Sequence, residues 1–146
     1  MVLYKIFPKV VDNKYNGSKT ASIIFLIIAI FGFFRSCIHF LAPDGGAHSI
    51  AGMDLTHGGA KEIIFAFSLW GSSQLLYAII QLVVYFRYKV LIPFMYLLMI
   101  LEILMRIFVG HVKPVCFSHL PPGQIVNYVI LPLAIMMLLL SIRNQE

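Results

Sequence analysis

Leu91 to Gly110 reads LIPFMYLLMILEILMRIFVG, an apolar run with two charges inside it, Glu102 and Arg106. As a helix rising ~1.5 Å per residue it spans roughly 30 Å, the thickness of a bilayer's hydrocarbon core. Arg106 then lies roughly 6 Å and Glu102 roughly 12 Å in from Gly110. The twelve Leu, Ile, Phe and Val residues of the run favour insertion. At about −0.5 kcal/mol each they contribute about −6 kcal/mol, against about +3 for a central carboxylate and less for an off-centre arginine. Insertion wins by a narrow margin, so the two charges need a structural or functional reason.

Composition agrees with this reading. Hydrophobic residues make up 60% of the 146-residue chain, charged residues 12%, and the mean hydropathy is +0.91. Soluble domains carry about a quarter charged residues, so the chain is expected to be one integral membrane domain over residues 1–146. The net charge of +5 does not point to nucleic acid, because the basic residues flank apolar runs and form no continuous patch. The first apolar run is too long for the core of a cleaved leader and is expected to remain as an anchor.

Four spans are predicted, at about 20–41, 61–86, 91–110 and 124–142, giving an all-α antiparallel four-helix transmembrane bundle. Before the first lies a basic segment with Lys5, Lys9, Lys14 and Lys19, and with apolar residues suited to a membrane interface. Pro43-Asp44-Gly45-Gly46 ends span one, and the loop to Gly59 is rich in glycine and expected to be mobile. In span two, Glu62, Ala66, Trp70, Ser73, Tyr77 and Gln81 recur at steps of three and four, with Ser72 and Gln74 beside them. They form a small, polar or aromatic stripe about 100° wide that should face other helices. Span four carries Asn127 near its start and Pro132 in its middle, where a kink and a freed carbonyl near Tyr128 are expected.

Lysine and arginine counts set the orientation. Seven (Lys5, Lys9, Lys14, Lys19, Arg87, Lys89, Arg143) fall on the side of the termini, and two (Lys61, Lys113) on the other. Both termini are therefore expected in the cytoplasm of a protein of the cell membrane.

All five histidines, both cysteines and the charges at or within spans then fall in the outer half. Arg35, Glu62, Glu102 and Arg106 form a balanced set, with Glu102 four before Arg106, the favourable helical order. His39 shares a helix face with Arg35. Such a set either fixes helix packing or lines an outward cavity that binds a solute or relays protons. The candidate site comprises Arg35, His39, Glu62, Trp70, Ser73, Tyr77, Glu102, Arg106 and Asn127. No metal site is expected, because His39, His48, His57, His111 and His119 show no ligand spacing. Cys37 and Cys116 share the outer side, where one bond between them can form, but are expected to stay free as small apolar residues. No phosphate loop, nucleophile motif or cofactor motif is present.

Four spans, Glu62 opening span two, Trp70-Gly71 and Arg106 late in span three make the chain, from Ile23 to Ile142, resemble the small DoxX-like four-helix membrane proteins. That resemblance implies an accessory subunit of a quinone-linked membrane redox complex. The residues themselves favour a non-enzymatic protein that binds or helps move a small solute or lipid-like ligand. An enzyme acting on lipid or quinone is a third reading. The expected partners are the bilayer, a ligand in the cavity, and a membrane protein partner or a second copy of the chain.

Overall fold

The computed structural model describes residues 2–115 and 121–143. A short helix α1 (Val2–Ile6) precedes four long ones: α2 (Lys19–Leu41), α3 (Ala60–Arg87), α4 (Ile92–Val112) and α5 (Pro122–Ile142). A 3₁₀ turn over Lys89–Leu91 leads into α4, and no strand occurs among the described residues. Prolines mark the starts of α4 and α5, where a missing N–H costs nothing. α5 stays helical through Pro132. All four long helices have the length and composition to cross a membrane, with mean hydropathies of 2.3, 1.7, 2.2 and 2.4 in chain order. The lowest belongs to α3, the helix that carries the polar stripe.

The distribution of side chains is the inverse of a soluble bundle. Ile23 and Phe40 of α2, Leu76 of α3, Phe108 of α4, and Val129 and Leu139 of α5 all lie outside the cavities and are exposed. A soluble monomer does not leave four helices coated this way. Inside, Ala21, Ala29, Ala78 and Ala134 are almost fully buried, small residues that let helix backbones approach. This is a multi-pass membrane protein with a four-helix architecture.

Consecutive helices pair: α2 lies along α3, and α4 against α5, with α2 also touching α5. The seam between the two pairs is closed at one end and open at the other. At the closed end Phe25 and Tyr96 meet edge-on at 5.5 Å, and the Tyr96 hydroxyl donates to the Ala21 carbonyl at 2.7 Å. The segment before α2 straps this end. The Ser18 amide donates to the Leu140 carbonyl, the Lys5 ammonium to the Ile142 carbonyl, and the Lys89 amide to the Asn13 side chain. Burial beside Ser141 pushes the Tyr15 phenol up to about 12. The N-terminal segment, the α3–α4 turn and the end of α5 thus share one end of the bundle.

Toward the other end α2 and α3 approach closely at Gly71. A Cβ there would stand 2.7 Å from the His39 carbonyl carbon and 2.8 Å from the Phe40 nitrogen. Both are main-chain atoms of α2 that cannot move aside alone. Gly71→Val is therefore expected to force the pair apart and cost several kcal/mol, in the manner of overpacked cores. Thermal unfolding of the purified protein in detergent measures this; an unchanged midpoint would show that the two helices do not pack at Gly71.

Candidate functional site

Glu102 and Arg106 sit one turn apart on α4, Glu102 about 15 Å from either end of that helix. The Arg106 guanidinium donates to Glu102 within the helix, and to Asn127 of α5 at 3.3 Å. Glu102 accepts in addition from Gln74 Nε2 of α3 at 3.0 Å. One intrahelical ion pair thus ties three helices. The two side chains keep 28% and 32% exposure, because both line cavities in the seam. Arg106 Nε is buried without a partner among the described residues.

Trp70 stands beside this network. Arg35 of α2 lies over its ring at 5.0 Å and Arg106 approaches it at 6.0 Å. Arg35 makes no ion pair and no hydrogen bond among the described residues; the indole is its one contact, and the charges of Arg106 and Glu102 act on it from a distance. A desolvated cation–π contact contributes about 2 kcal/mol. An arginine within a membrane span costs about 2.5–3.5 kcal/mol on insertion scales. The ring alone leaves Arg35 short of compensation.

His39 is buried, with its ring 5.2 Å from Trp70, and its Nδ1 donates to the Gly45 carbonyl at 2.8 Å. It therefore anchors the loop that follows α2. That loop is ordered, against the sequence expectation. Asp44 accepts from the amides of Ser49 (2.7 Å), Gly46 (2.9 Å) and His48 (3.2 Å). These bonds, Ser49 foremost, hold its carboxyl at about 2, below the ordinary 3.8. Gly45, Gly46 and Gly52 adopt positive φ, so the glycines shape turns.

Two cavities occupy the open end of the seam. The larger, about 640 Å³, runs between Phe31, Phe34, Ile38, Phe67 and Trp70, with Ile50 and Ala51 of the loop as one wall and Lys113 at its edge. The smaller, about 310 Å³, reaches deeper, past Gln74, Tyr77, Gln81 and Glu102. Arg35, Arg106 and Asn127 line both. The larger falls within the range of small-molecule sites, mostly apolar walls with a few convergent polar groups.

Of the nine residues proposed from sequence, Arg35, His39, Trp70, Tyr77, Glu102, Arg106 and Asn127 line these cavities. Glu62 and Ser73 do not. Glu62 is exposed in the first turn of α3 and lines neither cavity, so the charge set is not balanced. Ser73 is exposed, its hydroxyl bonded back to the Leu69 carbonyl. Gln74 takes the inward place. At 100° per residue Gln74, Tyr77 and Gln81 lie within about 40° of Trp70, whereas Ser73 lies about 60° off. The angular comparison was available from the sequence. Gly71, Gly110 and Lys113 carried no comparable signal. No three of His, Cys, Asp and Glu converge among the described residues. Cys116, His119 and a bond from Cys37 to Cys116 lie outside those residues.

Two predictions follow from this geometry. Glu102→Leu strands Arg106 and is expected to cost on the order of 3 kcal/mol, whereas Glu102→Leu with Arg106→Leu recovers most of that loss. Detergent thermal unfolding of both singles and the double reads it; single variants as stable as wild type would show the pair does not hold the helices. For Asp44 the folded carboxyl titrates below its unfolded value. Its contribution is complete above about pH 3.8 and is lost as pH falls through about 2. Asp44→Ala should reproduce that loss at neutral pH as faster amide exchange over residues 46–49, and unchanged exchange would remove Asp44 as the loop's organiser.

No protein-family model, curated protein or solved structure matches the chain, so its chemistry is read from this geometry.

Proposed function

We propose that this protein is a non-enzymatic component of the cell membrane that holds a single lipid-like ligand, for binding or for transfer, in the cavity at the open end of its helix seam. The observation that carries the reading is the larger cavity itself. It is about 640 Å³, walled by aromatic and aliphatic side chains, and its two arginines stand at the inner boundary with the smaller cavity. An apolar chain would occupy the aromatic part, and a polar head would meet Arg35, Arg106 and Asn127. Entry is on the outer side, because the bundle end that bears the termini also bears seven of the chain's lysines and arginines. The loop pinned by Asp44 forms a wall of fixed shape, which favours a preformed site over one assembled by the ligand.

Gly110 offers a clean test. It lines the larger cavity, and a Cβ built there meets nothing within 4 Å. Gly110→Phe is therefore expected to fill the cavity while leaving the bundle as stable as wild type, or slightly more so through helix propensity. Native mass spectrometry of the protein released from membranes in a neutral detergent should find a bound small molecule on wild type and none on Gly110→Phe, at equal unfolding midpoints. Equal occupancy of the two proteins, or an empty wild type, would overturn the reading.

A further inference from the structure

The charges that line the two cavities do not cancel. Arg35, Arg106 and Lys113 face them, against one carboxylate, Glu102. Glu102 is already committed to Arg106 and to Gln74. Arg35 stands on the boundary between the cavities, over Trp70, with no ion-pair or hydrogen-bond partner among the described residues; Glu102 acts on it only from a distance, and Arg106 opposes that pull. It is roughly 9 Å from the end of α2, six residues before Leu41, and its guanidinium lies beside Gly123 in the first turn of α5, where no carboxylate stands. Water entering the cavity can hydrate it, but water supplies no charge.

We propose that the cavity selects monoanionic, single-chain amphiphiles, with the ligand's acid group seated on the Arg35 guanidinium and its chain along Phe31, Phe34 and Phe67. This rests on the cavity being a ligand site, and it adds the chemical class of the ligand. A guanidinium presents a planar fork of donors that matches a carboxylate or phosphate in two parallel bonds. Trp70 occupies one face of Arg35 and so holds the fork in place while its edge stays available. A cationic amphiphile would meet three positive charges. A neutral one would leave Arg35 uncompensated and forfeit the strongest interaction on offer. Lys113, at the cavity edge on the outer side, adds attraction for an approaching anion.

Trp70 is the chain's one tryptophan, so its emission reports on this site without a label. The protein is placed in phosphatidylcholine nanodiscs and titrated with palmitate, hexadecanol and methyl palmitate, at a pH where palmitate is ionised. Palmitate is expected to bind roughly ten- to a hundredfold more tightly than the alcohol or the ester, the range for a hydrogen bond to a charged group. Arg35→Gln should bring palmitate down to the level of the alcohol while the alcohol's own affinity holds. Arg35→Lys should retain part of the preference, which guards against a variant that merely misfolds. Repeating the titration with lysophosphatidylglycerol in the disc separates two sources of the acid. Competition that Arg35→Gln abolishes would assign the site to a lipid phosphate, and absence of competition would assign it to a free acid; both support monoanion selection. Equal affinities of acid, alcohol and ester for wild type would overturn it, as would palmitate binding unchanged in Arg35→Gln. Those results would leave the occupied cavity standing, because occupancy is read separately by mass in wild type and Gly110→Phe.

Discussion

A carboxylate and a guanidinium one helical turn apart, in the middle of a membrane span, govern how this bundle is built. Neither Glu102 nor Arg106 can be carried into hydrocarbon alone, and each still has bonding capacity after satisfying the other. Gln74 and Asn127 take up part of that remainder from the two neighbouring helices. A partnership internal to α4 thereby becomes a fastening for α3, α4 and α5. Such bonds across membrane helices contribute only about 0.6 kcal/mol each on average. Their value here is directional: they set the rotation of α4 about its own axis, and so which of its residues look into the seam.

The seam owes its shape to a difference between its ends. Toward the termini, Phe25 and Tyr96 interlock and small alanines let backbones close on one another. Toward the loops, the space between the pairs is held open by bulky, partly polar groups: two arginines, an indole and a ring of phenylalanines. Gly71 locks α3 onto α2 at this same level, so the open end cannot relax by letting the first pair spread. The void is therefore a product of tight packing on either side of it.

Much of this was legible in the chain itself. The four spans emerge from length and hydropathy, because a bilayer demands about twenty apolar residues whatever the protein does. The Glu102–Arg106 pair and Trp70 were legible because charges in hydrocarbon are costly and periodicity gives their faces. Glu62 was misjudged because position along a span does not reveal whether a side chain at a helix start turns inward or toward the headgroups. Ser73 was misjudged because two helical steps of three and four are equally regular until the angles are compared. The loop after α2 was read as mobile from its glycines, when Asp44 and positive φ angles make those glycines the means of its order. An outward polar cavity was one of two readings of the charge set, but its size and its aromatic walls could not be read. It depends on the distance between two helix pairs, and nothing local in the sequence encodes a distance between non-consecutive helices.

That the central ion pair lies within one helix bears also on how the chain enters the membrane. Helices are threaded into the bilayer one or two at a time, before their eventual neighbours are in place. A charge whose partner arrived on a later segment would wait unneutralised in lipid. Arg106 carries its counter-charge on the same turn of backbone, so α4 can partition as a nearly neutral rod. Gln74 is already in place on the preceding span, and Asn127 follows with α5. Arg35 has no such companion on α2. Its indole partner arrives only with α3, so until then α2 must carry that charge on the strength of its own apolar length.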